Sequence, residues 1–145
     1  MGTVLAFDFG EKRTGVAVGE TALGQAHPLT VLHAGDEAAR LAAIEILIRE
    51  WQPEGLVVGR PAHVDGAAHL MTGLAHAFAE ALAARFRLPV AEADERLTSL
   101  DAQTRLRETG RSAKAAKPFL DAVAAQLILQ TWFDTFHDDI PHFPA

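Results

Sequence analysis

The sequence predicts an α/β domain built on a mixed sheet. Short apolar runs occupy residues 3–33. Beyond residue 36, segments whose apolar residues recur at helical spacing alternate with further short apolar runs. Three strands followed by alternating helices and strands are typical of an antiparallel hairpin joined to parallel crossover units. The 145 residues, 49% of them hydrophobic, are enough for one compact core and few for two. We expect one domain over residues 1–136 and a flexible, proline-interrupted tail over 137–145.

Three strands are predicted at the start of the chain. Residues 3–9 and 15–19 are apolar and enclose a tight turn at 10–14, a pattern that indicates a β-hairpin. A further apolar stretch over 27–33 predicts the third strand. The predicted sheet therefore has an antiparallel edge.

Helices and strands alternate after this edge. Asp36 is placed to cap a helix that ends before Pro53, and Pro118 is interpreted as the start of the last helix. Between and after these points the sequence predicts, in order, a buried strand over 55–59, a helix over 63–86, a strand over 88–94, a helix over 98–109, a loop over 110–117 and a helix over 118–136.

Composition and charge exclude several kinds of site. The absence of cysteine excludes disulfides, thiolate zinc sites and thiol nucleophiles, so any metal ion would take oxygen or imidazole ligands. No apolar run approaches the roughly 18 residues of a membrane span, and we expect a cytoplasmic protein without a membrane partner. The net charge of −6 argues against nucleic acid, yet residues 96–117 hold six basic residues against two acids. That window is either an ordinary solvated helix face or a basic patch.

One carboxylate stands out in the first strand. Asp8 shares a face with Val4 and Ala6, and the opposite face is apolar as well. Burying an unpaired carboxylate costs several kcal/mol, so a cation should lie near it. An ion pair with Lys12 or Arg13 would provide one, and a functional cation would provide another.

Two further acids complete a candidate metal site. Glu95 follows the fifth predicted strand, at the edge where α/β sheets place ligands, and Asp121 lies on the core-facing stripe of the last helix. Asp121 has a structural explanation too, because a carboxylate in a first helical turn is favoured by the helix dipole. Magnesium and manganese ions prefer carboxylate oxygens, and a two-metal site needs one acid that bridges the ions and others that flank them. Asp8, Glu95 and Asp121 have the residue types for such a site.

Four blocks of the chain resemble the YqgF family, also called RuvX-like, which is associated with Holliday junction resolution and with pre-16S rRNA processing. They read "FDFGEKRTGVAVGE", "GLVVGRPAHVDG", "DERLTS" and "KPFLDAVAAQLILQ", and they occur in the family's order over residues 4 to 133. The resemblance implies an RNase H-like fold and a metal-dependent nuclease that uses two Mg²⁺ or Mn²⁺ ions.

The resemblance also implies roles for individual residues. Asp8, Glu95 and Asp121 match the family's acids and would be catalytic metal ligands. Arg13 and Arg96 match its basic positions and would contact phosphate. Apart from the family pattern, Lys114 and Lys117 are expected near the rim of the site, where they add phosphate attraction, and Lys12 is a further candidate for substrate binding. Two stretches depart from the family pattern. Residues 60–63 lack the usual aliphatic residue and asparagine, and the segment before Asp121 carries fewer basic residues than is usual.

Several functions share these features. The implied substrate is a pre-16S rRNA or another structured RNA, with ribosomal particles as partners, and branched DNA is the alternative. A monomer and a homodimer are both compatible with the sequence, and junction cleavage would need the dimer. A non-catalytic rRNA-binding maturation factor is a further alternative. The actin-like ATPases open on a similar hairpin, but they close two such domains around a nucleotide and this chain has the length of one.

Overall fold

The computed structural model describes residues 2–10, 13–33, 36–60, 66–94 and 113–135. Five strands and three long helices lie within these ranges. In chain order they are β1 (Thr3–Asp8), β2 (Arg13–Glu20), β3 (Gln25–His33), α1 (Glu37–Trp51), β4 (Gly55–Arg60), α2 (Gly66–Phe86), β5 (Val90–Asp94) and α3 (Ala113–Thr135). None of the helices in this part of the chain combines the length and the apolar content that a bilayer span requires.

The strands form one mixed sheet in the order β3-β2-β1-β4-β5. β1, β2 and β3 pair antiparallel, whereas β4 pairs parallel with both β1 and β5. This arrangement confirms the predicted antiparallel edge followed by parallel crossovers. The parallel strands β1, β4 and β5 all end at the same edge of the sheet, so their carboxyl ends meet there.

Each face of the sheet has its own apolar core, as the alternation in β1 predicts. Leu5 and Phe7 pack with the residues of α1 and α2, while Val4 and Ala6 pack against α3. Asp36 caps α1 as expected, its Oδ1 accepting a hydrogen bond from the Ala39 main-chain nitrogen at 2.7 Å. Asp8 follows Val4 and Ala6 in the alternation, which assigns it to the α3 face.

The last helix begins earlier than predicted. The expected loop over 110–117 and the expected start at Pro118 are wrong where the structure describes them, because α3 is helical from Ala113. Residues 113–117 are alanine and lysine, both strong helix formers, and they extend the helix past the proline that the sequence favoured as its first residue. Asp121 therefore lies in the third turn. The helix-dipole explanation for its carboxylate fails, because that effect fades within the first turn.

Two glutamines of α3 hold the exposed edge of the sheet. Gln130 Oε1 accepts from the Ala26 nitrogen at 3.0 Å, and Gln126 Nε2 donates to the Ala26 carbonyl at 3.0 Å. Both peptide groups of this β3 residue are thus bound by the helix. α3 is fixed to the sheet at this end, and the same helix carries Asp121 at its other end.

On the opposite face, a histidine links α2 to β5. His76 Nδ1 lies 2.9 Å from Glu92 Oε2, and Nε2 lies 3.0 Å from Glu80 Oε1. The hydrogen bond with Glu92, followed by the charges of Glu92 and Glu80, raises the pKa of His76 above its ordinary value of 6.5. The imidazolium form is therefore favoured in the folded protein.

We expect His76→Gln to lower Tm in a pH-dependent way. Because the folded pKa of His76 is raised, its stabilising contribution is complete below the unfolded pKa of 6.5 and is lost as the pH rises through the folded value. Thermal unfolding of both proteins from about pH 5.5 to about pH 9 checks this, and the Tm difference should shrink with rising pH. A Tm difference that stays constant over this range would contradict the charged contact.

Candidate functional site

Asp8 is the last residue of β1, at the edge where the parallel strands end. Its in-register neighbours are Gly15 on β2 and Gly59 on β4. Both neighbours lack a side chain, so no cross-strand side chain covers the half-buried Asp8 carboxylate from these two positions. The two residues that pair with Asp8 therefore add no side chain on the α3 face.

Asp121 approaches the same place from α3. A Cβ atom built on Gly15 would lie 1.8 Å from the Asp121 carbonyl oxygen and 2.9 Å from the Ala122 nitrogen. The helix main chain thus lies directly on the glycine that pairs with Asp8. The main chain of Asp121 therefore lies next to the residue that pairs with Asp8, although the two acids are far apart in the sequence.

Small residues on β2 let the helix come this close. Gly15, Ala17 and Gly19 share the α3 face of the strand, and a Cβ on Gly19 would lie 2.6 Å from the Phe133 ring. Larger side chains at these positions would push α3 away from the sheet. The position of Asp121 therefore depends on the β2 sequence.

Arg13 pairs with Asp121. The distance from Arg13 Nε to Asp121 Oδ2 is 3.2 Å, and the two side chains are 45% and 27% exposed. The sequence suggested Arg13 as a possible counter-ion for Asp8. In the structure, the Arg13 guanidinium pairs with the carboxylate of Asp121 on α3. Ion pairs this exposed contribute about 0–1 kcal/mol to stability, so either partner can exchange its counter-ion at low cost.

The other predicted site residues are described in part or not at all. Lys12, Glu95 and Arg96 lie outside the described residues. Lys114 and Lys117 lie on the first two turns of α3, of which the structure describes the main chain only. Among the described residues, no group of three histidine, aspartate or glutamate side chains is placed to hold a metal ion. Asp8 and Asp121 are the two predicted ligands that the structure brings together.

Sequence reasoning missed Arg40. This arginine lies in the first turn of α1 and is 4% exposed. Its Nη2 donates to the Gly10 carbonyl at 3.1 Å, and its guanidinium carbon lies 4.8 Å from the centre of the Phe9 ring. A signal was present in the sequence, because Arg40 lies four residues before Ile44 and so continues the apolar stripe of α1. A cation on a buried stripe needs a partner, and here the turn after Asp8 provides it.

Comparisons with known proteins agree with this architecture. A protein 68% identical over 145 residues, which covers 100% of this chain and 99% of the relative, is named "Putative pre-16S rRNA nuclease" in Dechloromonas aromatica. A relative with the same name in Thiobacillus denitrificans is 56% identical over 133 residues, or 92% of each chain. Among solved structures, T. thermophilus RuvC in complex with a Holliday junction substrate matches with a TM-score of 0.60 at 16% identity and covers 95% of this chain and 97% of that one.

The structural match shows the fold, which is RNase H-like, as the sequence resemblance implied. The family model described as RuvX, Holliday junction resolvase, matches residues 2–135. That range contains Asp8, Arg13, Glu95 and Asp121. On the strength of this match and of the two close relatives, the chain belongs to the RuvX family.

Proposed function

We propose that this protein is a metal-dependent nuclease that hydrolyses a phosphodiester bond during 5′-end processing of pre-16S rRNA. The observation that carries the proposal is the placement of Asp121 on Gly15, directly beside Asp8. In our proposal the two carboxylates share this edge of the sheet and supply the negative charge that a cation-dependent reaction needs. The names of the close relatives support pre-16S rRNA as the substrate.

The donor groups fit a magnesium or manganese site. Carboxylate oxygens are the ligands that these ions prefer, and the glycines that pair with Asp8 add no side chain of their own beside it. Ala91 and Ala93 pack against the α3 core. Glu95 follows Ala93 at the same two-residue spacing in the sequence. Asp8, Glu95 and Asp121 are the residues that would hold two such ions.

The chemistry divides between the ions and the chain. When bound, the ions would lower the pKa of water and neutralise negative charge on the phosphate. Asp8 and the other carboxylates hold them at the sheet edge. Arg13 neutralises Asp121 when no cation is bound and can turn to the phosphate once Asp121 has a metal partner. Lys12, Arg96, Lys114 and Lys117 add attraction for the nucleic acid backbone.

We expect Arg13→Gln to weaken RNA binding by removing one phosphate contact. The slope of the logarithm of the binding constant against the logarithm of the salt concentration should become shallower by about 0.7 to 0.9. The free energy of unfolding should change by less than about 1 kcal/mol. Titrations of a pre-16S leader RNA at several salt concentrations measure this. Arg49→Gln is the matched control, because Arg49 is 77% exposed on α1 and pairs only weakly, with Glu45 at 3.7 Å. An unchanged slope would assign Arg13 a purely structural role.

Branched DNA is the second candidate substrate, because the matching family model is described as a Holliday junction resolvase. Symmetric junction cleavage needs two sites, and hence a homodimer, whereas hydrolysis of an RNA leader can use a monomer. Cleavage of both substrates in Mg²⁺, together with the mass of the protein in solution, distinguishes them. Cleavage of the RNA leader by the wild-type protein but not by the Asp8→Asn variant supports the proposal. Junction cleavage by a dimer would favour the resolvase, and RNA binding without cleavage of either substrate would indicate a maturation factor.

A further inference from the structure

We propose that Arg40 is a positioning residue for the site: it fixes the main chain that follows Asp8, so that Asp8 and Arg13 are held at one edge of the sheet. The inference rests on the proposed function for its kinetic consequence and on the contacts of Arg40 for its structural one. Arg40 itself is buried on the α1 side of the sheet, away from the α3 face that carries the acids.

The burial of Arg40 needs a compensating role. A guanidinium 4% exposed loses most of its hydration, and this loss is costly unless hydrogen bonds and charge-stabilising contacts replace it. One replacement is the bond from Nη2 to the Gly10 carbonyl at 3.1 Å. Two more are the aromatic faces of Phe9 and Phe78, whose centres lie 4.8 and 5.9 Å from the guanidinium carbon. The arginine thus contacts both residues that follow Asp8.

The contact with Gly10 passes directly to Arg13. A Cβ on Gly10 would lie 2.4 Å from the Arg13 carbonyl oxygen, so the main chain of Gly10 is in close contact with that of Arg13. A movement of Gly10 would displace the first residue of β2. The side chain of that residue is the one that pairs with Asp121. Arg40 therefore controls, through Gly10, where the Arg13 guanidinium can reach.

The contact with Phe9 acts on Asp8. The Phe9 and Phe78 rings lie 5.0 Å apart, and Arg40 packs over both, which anchors Phe9 between α1 and α2. Successive strand residues point to opposite faces, so an anchored Phe9 fixes the peptide that directs Asp8 to the α3 face.

Stability alone does not explain an arginine here. Well-packed apolar residues in place of a buried ionic group are often neutral or stabilising, so a methionine could fill much of this space between two phenylalanine rings. What methionine cannot do is donate to the Gly10 carbonyl. The bond to the Gly10 carbonyl is therefore a contact that the substitution removes, and its effect on the segment after Asp8 is what the experiment measures.

The test compares Arg40→Met and Arg40→Lys with Arg49→Met, a surface arginine on the same helix. Hydrogen exchange of the amides in residues 9–16 is measured well below Tm, together with kcat and KM on the RNA leader. We expect Arg40→Met to speed exchange in this segment and to lower kcat about 10- to 100-fold, as misplaced catalytic groups do, with a smaller change in KM. Arg40→Lys should fall between it and wild type, since lysine keeps the charge without the planar fork. Arg49→Met should match wild type in both measurements.

Unchanged exchange in residues 9–16 and an unchanged kcat, with only Tm reduced, would overturn the inference. Should Arg40→Met fail to fold, Arg40→Lys decides the question by the same two measurements. The exchange measurement needs no activity, so it separates this inference from the proposed function. If Arg40→Met exchanges faster but the wild-type protein cleaves neither substrate, the anchoring role of Arg40 is supported and the proposed nuclease is rejected. If Arg40→Met exchanges normally and the wild-type protein is an active nuclease, the anchoring role is rejected and the proposed function is supported.

Discussion

Asp8→Asn should abolish cleavage of a pre-16S leader in Mg²⁺ while the protein remains folded. Asp8 is the carboxylate at the centre of the proposed metal site, and asparagine keeps its shape but not its charge. Losing a group that stabilises transition-state charge costs on the order of 10³-fold in rate, and a bridging ligand should cost at least that. Single-turnover cleavage of the labelled leader measures the loss.

The same variant should be as stable as wild type, or more stable, when no metal is present. In our proposal the removed charge lies beside those of Asp121 and Glu95, so neutralising it relieves repulsion between like charges. Asp134→Asn, an exposed carboxylate near the far end of α3, is the matched control and should cleave at the wild-type rate. A wild-type rate for Asp8→Asn would refute the metal site, and an unfolded Asp8→Asn would make Asp8 structural.

Gly15→Ala should cause the second large effect, this time on both stability and activity. The added Cβ would lie 1.8 Å from the Asp121 carbonyl oxygen, which belongs to a helix main chain and cannot rotate away. α3 must move from the sheet, and overpacking of this kind costs about 1–3 kcal/mol, occasionally more. Because Asp121 moves with the helix, we expect cleavage to fall even at temperatures where the variant is folded. Urea unfolding and cleavage assays measure the two effects.

Gly73→Ala is the control for this substitution. Gly73 lies in α2, and beyond its own helix no atom of the described residues lies within 4 Å of the Cβ that alanine would add. Alanine favours a helix over glycine by roughly 0.5–1 kcal/mol, so this variant should be slightly more stable and fully active. If Gly15→Ala behaved like Gly73→Ala, the close approach of α3 to β2 would not be needed for the site.

Much of the fold could be predicted because strand and helix periods are local. The alternation in β1 correctly assigned Val4 and Ala6 to one core and Leu5 and Phe7 to the other. The cap at Asp36 was also correct, since capping depends on the residues that follow within one turn. The start of α3 was not predicted, because a proline that favours a helix start competed with an alanine-rich segment that extends the helix.

The candidate site was predicted less completely. The roles of Asp8 and Asp121 as metal ligands stay predictions, and the structure adds that the Asp121 main chain lies on Gly15, the residue that pairs with Asp8. The partner of Arg13 was left open by the sequence, which offered Asp8. Ion-pair partners on separate elements depend on helix placement, and no local pattern encodes that placement.

The sequence by itself determined the order of strands and helices, the faces of β1 and the acids available for chemistry, because periodicity and residue type are properties of short segments. Only the tertiary structure decided that Asp121 lies on Gly15, that Arg13 pairs with Asp121, and that Arg40 reaches the Gly10 carbonyl, 30 residues away in the chain. These contacts arise from how closely α1 and α3 pack on the two faces of the sheet. That packing is set jointly by distant residues, among them the glycines of β2, and so no single segment encodes it.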